Sequence, residues 1–337
     1  NKFEKASWDE VYKIIKSKIE NTKKDKICGF VGDLTNMETS FIFKEFFERT
    51  LNIKNYESRS SHNFIDNFVR ENYLFNSQIN GIEESDLILL IGSNPRFEAT
   101  MLNARIRKAY VRNNLKIISL NDVGDLTYPY QALDGKTLSL KNIYENNSEI
   151  SKTILDAQKP IVIFGESFLN LKSADTIFYS FKNFLIKNNK FNNWNPINLL
   201  SSNASTVGNL DLDMINHDRD LIKDLNQNKF ELVYLVGQDN INFIKKNEFV
   251  IYQGSHGDRG AEMADIILPG SAYTEQSGYY TNLEGKIQKA YKASYPPGEA
   301  KEDWQVINEL AEMMNNRKLF NDKEELQSSM FNFLKLK

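Results

Sequence analysis

Asp86-Leu87-Ile88-Leu89-Leu90-Ile91-Gly92-Ser93-Asn94-Pro95 is the stretch that decides the fold. A strand with one wet face alternates apolar and polar residues, whereas this one is apolar at every position from Leu87 to Ile91. Such a strand is covered on both faces, the signature of a parallel sheet flanked by helices. The run stops at Gly92-Ser93-Asn94-Pro95, residues 97–112 suit a helix, and Leu115–Leu120 predicts the next strand.

The same strand–turn–helix grammar extends in both directions. Upstream, Ser7-Trp8-Asp9-Glu10 has capping-box spacing ahead of Val11, Ile14, Ile15 and Ile19. Ile27–Val31 reads as a strand ending at Gly32-Asp33, and Phe41, Phe43, Phe46 and Phe47 resume at helical spacing. Downstream, 121–150 reads as loop until a helix near Ile150–Ala157. Pro160–Phe164 is a strand, Ala174–Ile186 a helix, Ile197–Leu200 a short strand and Ser201–Gly208 a loop. Glu231–Val236 is a strand ending at Gly237 with a short helix expected after it, and Phe249–Tyr252 and Ala264–Leu268 are further strands. Val306, Ile307, Leu310 and Met313 mark a helix after Trp304.

The expected fold is therefore α/β, with mostly parallel sheets covered by helices and two similarly built halves. Residues 1–155 form the first expected half, 156–315 the second, and 316–337 a terminal helix or partner-contact tail. Met330, Phe331, Phe333 and Leu334 need cover, which favours docking of that tail on the protein itself.

Composition removes several function classes. The 337 residues carry 42 basic and 45 acidic side chains, a formal net charge of −3, so no nucleic-acid or anionic-membrane surface is implied. The single Cys28 sits in Ile27-Cys28-Gly29-Phe30-Val31 and reads as a buried thiol, insufficient for a disulfide or an iron–sulfur cluster. His62, His217 and His256 lie too far apart in sequence to suggest a zinc site, and no apolar run is long enough to span a bilayer. Asn1-Lys2-Phe3 lacks a methionine and a signal-peptide pattern, which fits a processed or incomplete beginning.

Candidate sites are few. Ile27–Asp33 and Ile91–Arg96 end strands where parallel sheets place ligands, but neither has a dinucleotide fingerprint or a phosphate-binding lysine loop. Tight turns with structurally used side chains are the expectation. Arg105, Arg107 and Arg112 do not share a helical stripe and read as a solvated, partly ion-paired face. In Tyr252-Gln253-Gly254-Ser255-His256-Gly257-Asp258-Arg259-Gly260, His256 with Asp258 resembles acid–base equipment but lacks a nucleophile and a third group. Glu275, Glu284 and Asp303 have no calcium-loop order, and Glu302 and Asp303 suit the positive end of a helix. No catalytic, cofactor-binding or metal-binding residue is assigned.

The ordered segments as a set resemble a known family. Gly81-Ile82-Glu83-Glu84-Ser85-Asp86, Gly92–Ala99, Leu102–Lys108, Val123–Tyr128, Tyr252–Ala261, Ala264–Gly270, Ala272–Glu275, Asn282–Gly285, Pro296–Gly298 and Glu302–Trp304 are similar to the C-terminal part of the 75-kilodalton-class iron–sulfur subunit of respiratory complex I. The resemblance implies a molybdopterin-oxidoreductase-like domain that organises the peripheral arm without carrying a redox centre. At the level of the complex it implies electron transfer from NADH to ubiquinone coupled to proton translocation. FMN and iron–sulfur clusters would then be bound by other domains or subunits. The implied partners are a cysteine-rich iron–sulfur portion, of the same subunit or separately supplied, and other peripheral-arm subunits. The implied place is the matrix side of the mitochondrial inner membrane, with a mitochondrion-encoded origin, or the cytoplasmic side in a bacterium. Two alternatives accompany it: an active molybdopterin- or nucleotide-dependent oxidoreductase, and a complex I assembly regulator.

Overall fold

The computed structural model describes residues 3–61 and 63–335; His62 lies outside them. In chain order the strands among these residues are β1 (Ile27–Val31), β2 (Tyr56–Glu57), β3 (Leu87–Ile91), β4 (Lys116–Ser119), β5 (Gln131–Ala132), β6 (Pro160–Phe164), β7 (Ile197–Leu199), β8 (Leu232–Val236), β9 (Phe249–Gly254), β10 (Ile266–Pro269), β11 (Gly278–Thr281) and β12 (Ile287–Ala290). Ten of them build two five-stranded, all-parallel sheets, ordered β10-β9-β8-β1-β2 and β5-β4-β3-β6-β7, and β11 with β12 forms an antiparallel hairpin.

Each sheet belongs to its own compact unit. The first unit comprises Asn1–His62, Asn203–Thr281 and Ile287–Lys337, and the second Asn63–Ser202 and Asn282–Lys286. This differs from the division expected between 155 and 156. β1 and β2, early in the chain, share a sheet with the late strands β8, β9 and β10, while β3 to β7 fill the other. The second unit is thus inserted between β2 and β8, a topology that a linear reading of strand–helix repeats cannot reveal.

In the first unit the helix Trp8–Asn21 begins with the anticipated capping box: Ser7 and Glu10 satisfy each other's backbone N–H. The central strands are sandwiched between two cores. Ile27 and Val31 of β1, with Leu232, Tyr234 and Val236 of β8, face one core, and Cys28, Phe30, Val233 and Leu235 face the other. This period-two alternation, apolar on both sides, is why the strands read as continuous hydrophobic runs. The helix Lys323–Lys335 docks on the first of these cores, burying Leu326 and Met330, with Phe333 and Phe331 against Phe41 and Tyr279. Residues 323–335 are therefore a helix packed within the first unit.

In the second unit β3 is buried at all five positions and pairs with β4 and β6. The helix Ala174–Lys187 brings Phe178, Phe181 and Phe184 into a cluster of tilted and edge-on rings with Phe164 and Phe168. Segment 282–286 joins this unit through the Leu283 carbonyl, which accepts from the Phe75 N–H at 2.8 Å, and Glu284, which accepts from the Ile79 N–H at 2.8 Å.

Several local expectations need correction. The stretch 121–150 holds the short β5 and a helix, Thr137–Tyr144, and the helix Thr206–Asp211 begins inside the expected loop 201–208. The helix read over 97–112 is two, Pro95–Glu98 and Thr100–Asn113, broken where Ala99 leaves helical geometry (φ −152°, ψ 69°). No helix follows Gly237: Ile241 and Phe243 are buried while Asn242 and Ile244 are exposed, an alternation that suits extended chain. The hairpin of β11 and β12 was not anticipated.

Candidate functional site

A doubly wound sheet binds ligands beyond the carboxyl ends of its strands, where successive connections leave in opposite directions. Those switch points fall between β1 and β8 in the first unit and between β3 and β6 in the second. At the first, the loops after the two strands touch: a Cβ on Gly32 would overlap the Gly237 carbonyl and stand 2.9 Å from the Gln238 nitrogen. At the second, a Cβ on Gly165 would lie 2.6 Å from the Ser93 Cβ, and one on Gly92 (φ +64°) would lie 2.7 Å from the Phe168 Cβ. The Gly32 N–H donates to the Val236 carbonyl at 2.9 Å, and the Gly165 N–H to the Ile91 carbonyl at 3.0 Å. In both units the loops after the two strands touch backbone to backbone, and in the first unit a pocket opens beside that contact, lined by Thr35, Gly237 and Asp239.

The polar strand ends are equally committed. The Ser93 hydroxyl and the Asn94 N–H both donate to Glu98 at 3.0 Å, and the Asn94 side chain accepts from the Arg96 N–H. Arg96 pairs with Asp125 at 2.6 Å. Arg105 and Lys108 converge on Glu83 at 2.8 and 2.7 Å, holding its carboxyl below the usual range through the Lys108 hydrogen bond foremost. Arg105 and Lys108 thus spend their charge on Glu83.

The histidine-bearing turn does not assemble an acid–base pair. His256 is exposed and its Nδ1 meets the Ser255 hydroxyl at 2.9 Å, not the Asp258 carboxylate. His217 faces Asp213 across 3.7 Å. Cys28 is fully buried and burial pushes its thiol well up. Glu275 accepts from the Ala272 N–H, Glu284 belongs to the other unit, and no group of three His, Cys, Asp or Glu gathers among the described residues.

Asp303 is the surprise. Expected at the rim of a helix N-terminus, it is buried, only 7% exposed, at the start of the helix Asp303–Asn315. Gln253 Nε2 donates to Asp303 Oδ1 at 2.9 Å and Gln276 Nε2 to Oδ2 at 2.9 Å. Tyr234 completes the chain by donating to Gln253 Oε1 at 2.6 Å. Burial pushes the Asp303 carboxyl up from 3.8 to about 6; the two amides oppose that rise and the Glu302 charge adds to it. Asp303 lines a pocket of about 140 Å³ at the carboxyl ends of the first unit's strands, with Asp239, Tyr252, Ser271 and Gln276 on its walls. Tyr252 donates to Asp239 Oδ2 at 3.0 Å and the Gly260 N–H donates to Asp239 Oδ1 at 3.0 Å. Sequence reading missed Gln253, Ser271 and Gln276. The one available signal was a glutamine closing the apolar run Val250-Ile251-Tyr252, where a buried amide demands partners.

A family model described as molybdopterin oxidoreductase matches residues 1–313. The chain belongs to that family. Among curated relatives, the 78 kDa subunit of NADH-ubiquinone oxidoreductase from Candida albicans is 39% identical over 96% of this chain and 45% of its own length. The 75 kDa subunit from Reclinomonas americana is 35% identical over 97% of this chain and 50% of its own. A subunit of the NADH-quinone oxidoreductase from Rickettsia bellii is 38% identical over 96% and 47%. The resemblance read from the ordered motifs is thus met by these relatives, of whose length the chain spans about half. Among solved structures, a chain of the formyltransferase/hydrolase complex from Methylorubrum extorquens superposes with a TM-score of 0.68 at 13% identity, covering 94% of this chain and 98% of that one. Acetylene hydratase from Pelobacter acetylenicus gives 0.54 at 13% identity over 92% of this chain and 59% of that one. These two likenesses establish the fold alone.

The family's name raises the question of a pterin. At the two switch points loop backbone stands against Gly32 and against Gly92, which narrows the space beyond those strand ends. The polar pocket, about 140 Å³, is below the roughly 300 Å³ at which small-molecule sites begin. A wider groove of about 730 Å³ runs along the edge strand β10, but its wall is largely aliphatic and aromatic: Trp8, Val11, Ile14, Ile266, Ile267 and Leu268.

Proposed function

We propose that this chain is a structural and organising portion of the peripheral arm of respiratory complex I, the assembly that passes electrons from NADH to ubiquinone and couples them to proton translocation. The observation that carries the reading is the 35–39% identity, across at least 96% of the chain, to subunits of NADH-ubiquinone and NADH-quinone oxidoreductases. In this reading the segment holds no redox centre. FMN and the iron–sulfur clusters reside elsewhere in the complex, and the partners are a cysteine-rich iron–sulfur portion and other peripheral-arm subunits. The close contact between the loops after β3 and β6 supports a domain that spends those strand ends on packing. No helix among the described residues is long and apolar enough to cross a membrane. Relatives from mitochondria and bacteria support a place on the matrix side of the inner mitochondrial membrane, or on the cytoplasmic side in a bacterium.

The test is affinity isolation from gently solubilised membranes. Recovery with flavin- and cluster-bearing partners supports the reading. Recovery in cells as a free chain, or with an assembly precursor and never with the mature complex, contradicts it.

A further inference from the structure

One edge of the β11–β12 hairpin is open. β12 pairs with β11 and with no other strand among the described residues, and its Ile287, Gln288 and Lys289 are exposed. The phase of the ladder fixes what that edge offers. The Tyr279 N–H donates to Glu38 Oε2 at 2.8 Å, so it points away from β12. In an antiparallel ladder such a residue belongs to a non-hydrogen-bonded pair, whose two members both turn their N–H and C=O outward. Tyr279 stands opposite Lys289, and Thr281 opposite Ile287. Lys289 and Ile287 therefore each present a donor and an acceptor to the open edge.

The side chains beside this edge carry charge that no carboxylate neutralises. Lys286 and Lys323 are spent on Glu284 and Glu302, at 2.7 and 2.6 Å. Lys289 and Lys292 instead stand over tyrosine rings and form no ion pair among the described residues. Lys289 Nζ lies 5.8 Å from the Tyr279 ring centre and 5.1 Å from that of Tyr291, and Lys292 Nζ 4.5 Å from that of Tyr295. An aromatic face steadies an ammonium group without cancelling its charge. Tyr291 and Tyr295 are 76% and 75% exposed, which leaves amphipathic ring surface next to both charges.

We propose that the outer edge of β12 docks an acidic polypeptide segment in extended conformation, which adds a third strand and sets its carboxylates against Lys289 and Lys292. An extended peptide brings both the acceptors and the N–H donors that the outward groups of Ile287 and Lys289 require, whereas a phosphodiester chain has no such donors. A lysine on an open edge deters indiscriminate strand pairing, and the same charge favours a strand that bears acids. The inference is independent of the complex I reading.

The experiment titrates the 337-residue chain with a short synthetic peptide alternating glutamate and valine, followed by anisotropy of the labelled peptide and by amide hydrogen exchange in Ile287–Ala290. Saturable binding that slows exchange in that strand and weakens as salt rises is expected. Lys289→Gln combined with Lys292→Gln, at exposed positions that should leave the fold intact, is expected to weaken binding about tenfold. The same peptide N-methylated at alternate residues keeps its charge, loses its edge donors and should not bind. No saturable binding, equal binding of the N-methylated peptide or of an oligothymidylate, or unaltered affinity in the double variant overturns the proposal.

Discussion

The carbonyl oxygen of Gly237 occupies the space that a Cβ on Gly32 would need. Where many doubly wound sheets open to a ligand, this one brings the loops after β1 and β8 into contact. The expected consequence is that Gly32→Ala forces those loops apart. Overpacking of this kind costs about 1–3 kcal/mol. Native-state hydrogen exchange should show reduced protection in β1 and β8, with β3 and β6 unchanged; uniform or absent change would show that the contact is slack.

The turn that first suggested acid–base chemistry separates into a tolerant and an intolerant glycine. A Cβ on Gly257 meets nothing within 4 Å, whereas one on Gly260 would lie 2.5 Å from the Tyr252 ring and 2.8 Å from the Gln238 carbonyl. Gly257→Ala should change stability by less than about 0.5 kcal/mol, and Gly260→Ala should cost about 1–3 kcal/mol. His256→Gln, at an exposed position, should leave both the fold and the activity per assembled complex unaltered. Normal assembly with greatly reduced turnover in any of the three would restore the catalytic reading of this turn.

Asp303 makes stability depend on pH in a defined direction. Its carboxyl is raised to about 6 in the folded chain from an ordinary value of 3.8, so the folded state holds the proton more tightly. The stabilisation is fully present below about pH 4 and is lost as pH rises through 6, an effect of about 3 kcal/mol. Gln253, Gln276 and Glu302 act directly on this group, while Tyr234 and Tyr280 feel its charge. Burial raises Glu38 in the same sense, so the comparison must be with Asp303→Asn, which should flatten the Asp303 share alone. Urea denaturation followed by tryptophan fluorescence in a Trp194→Phe background, leaving Trp8 and Trp304 in the first unit, reads the difference between pH 4 and 7. Parallel curves for the two chains would contradict the assignment.

The terminal helix should be integral to the first unit. Met330 is completely buried in the core that contains Phe41 and Ile307. Met330→Ala should cost about 2–5 kcal/mol. Limited proteolysis would then cut after residue 320 in the variant and not in the parent chain.

Local structure was legible wherever one residue pattern has one physical meaning. Leu87–Ile91 and Ile27–Val31 are strands because unbroken apolar runs of that length need cover on both faces, and Ser7 with Glu10 caps a helix by satisfying its free amides. What stayed hidden depends on contacts distant in sequence. Nothing near β2 says that its sheet continues at β8, 175 residues after Glu57 (from 57 to 232), so the insertion was invisible. Asp303 looked like an ordinary first-turn acid because the amides that bury it come from residues 50 and 27 positions away. The ordered motifs nevertheless carried the family, which strand patterns by themselves could not.

The central claim is that this chain organises an electron-transfer assembly without holding a redox group of its own. It is tested most directly by isolating the tagged chain from gently solubilised membranes and measuring molybdenum, pterin, FMN and iron per mole of chain. The expected result is FMN and iron in fixed ratio, contributed by co-purifying partners, with molybdenum and pterin at background. Stoichiometric molybdenum and pterin on the chain, or its recovery without flavin- and iron-bearing partners, would contradict the account.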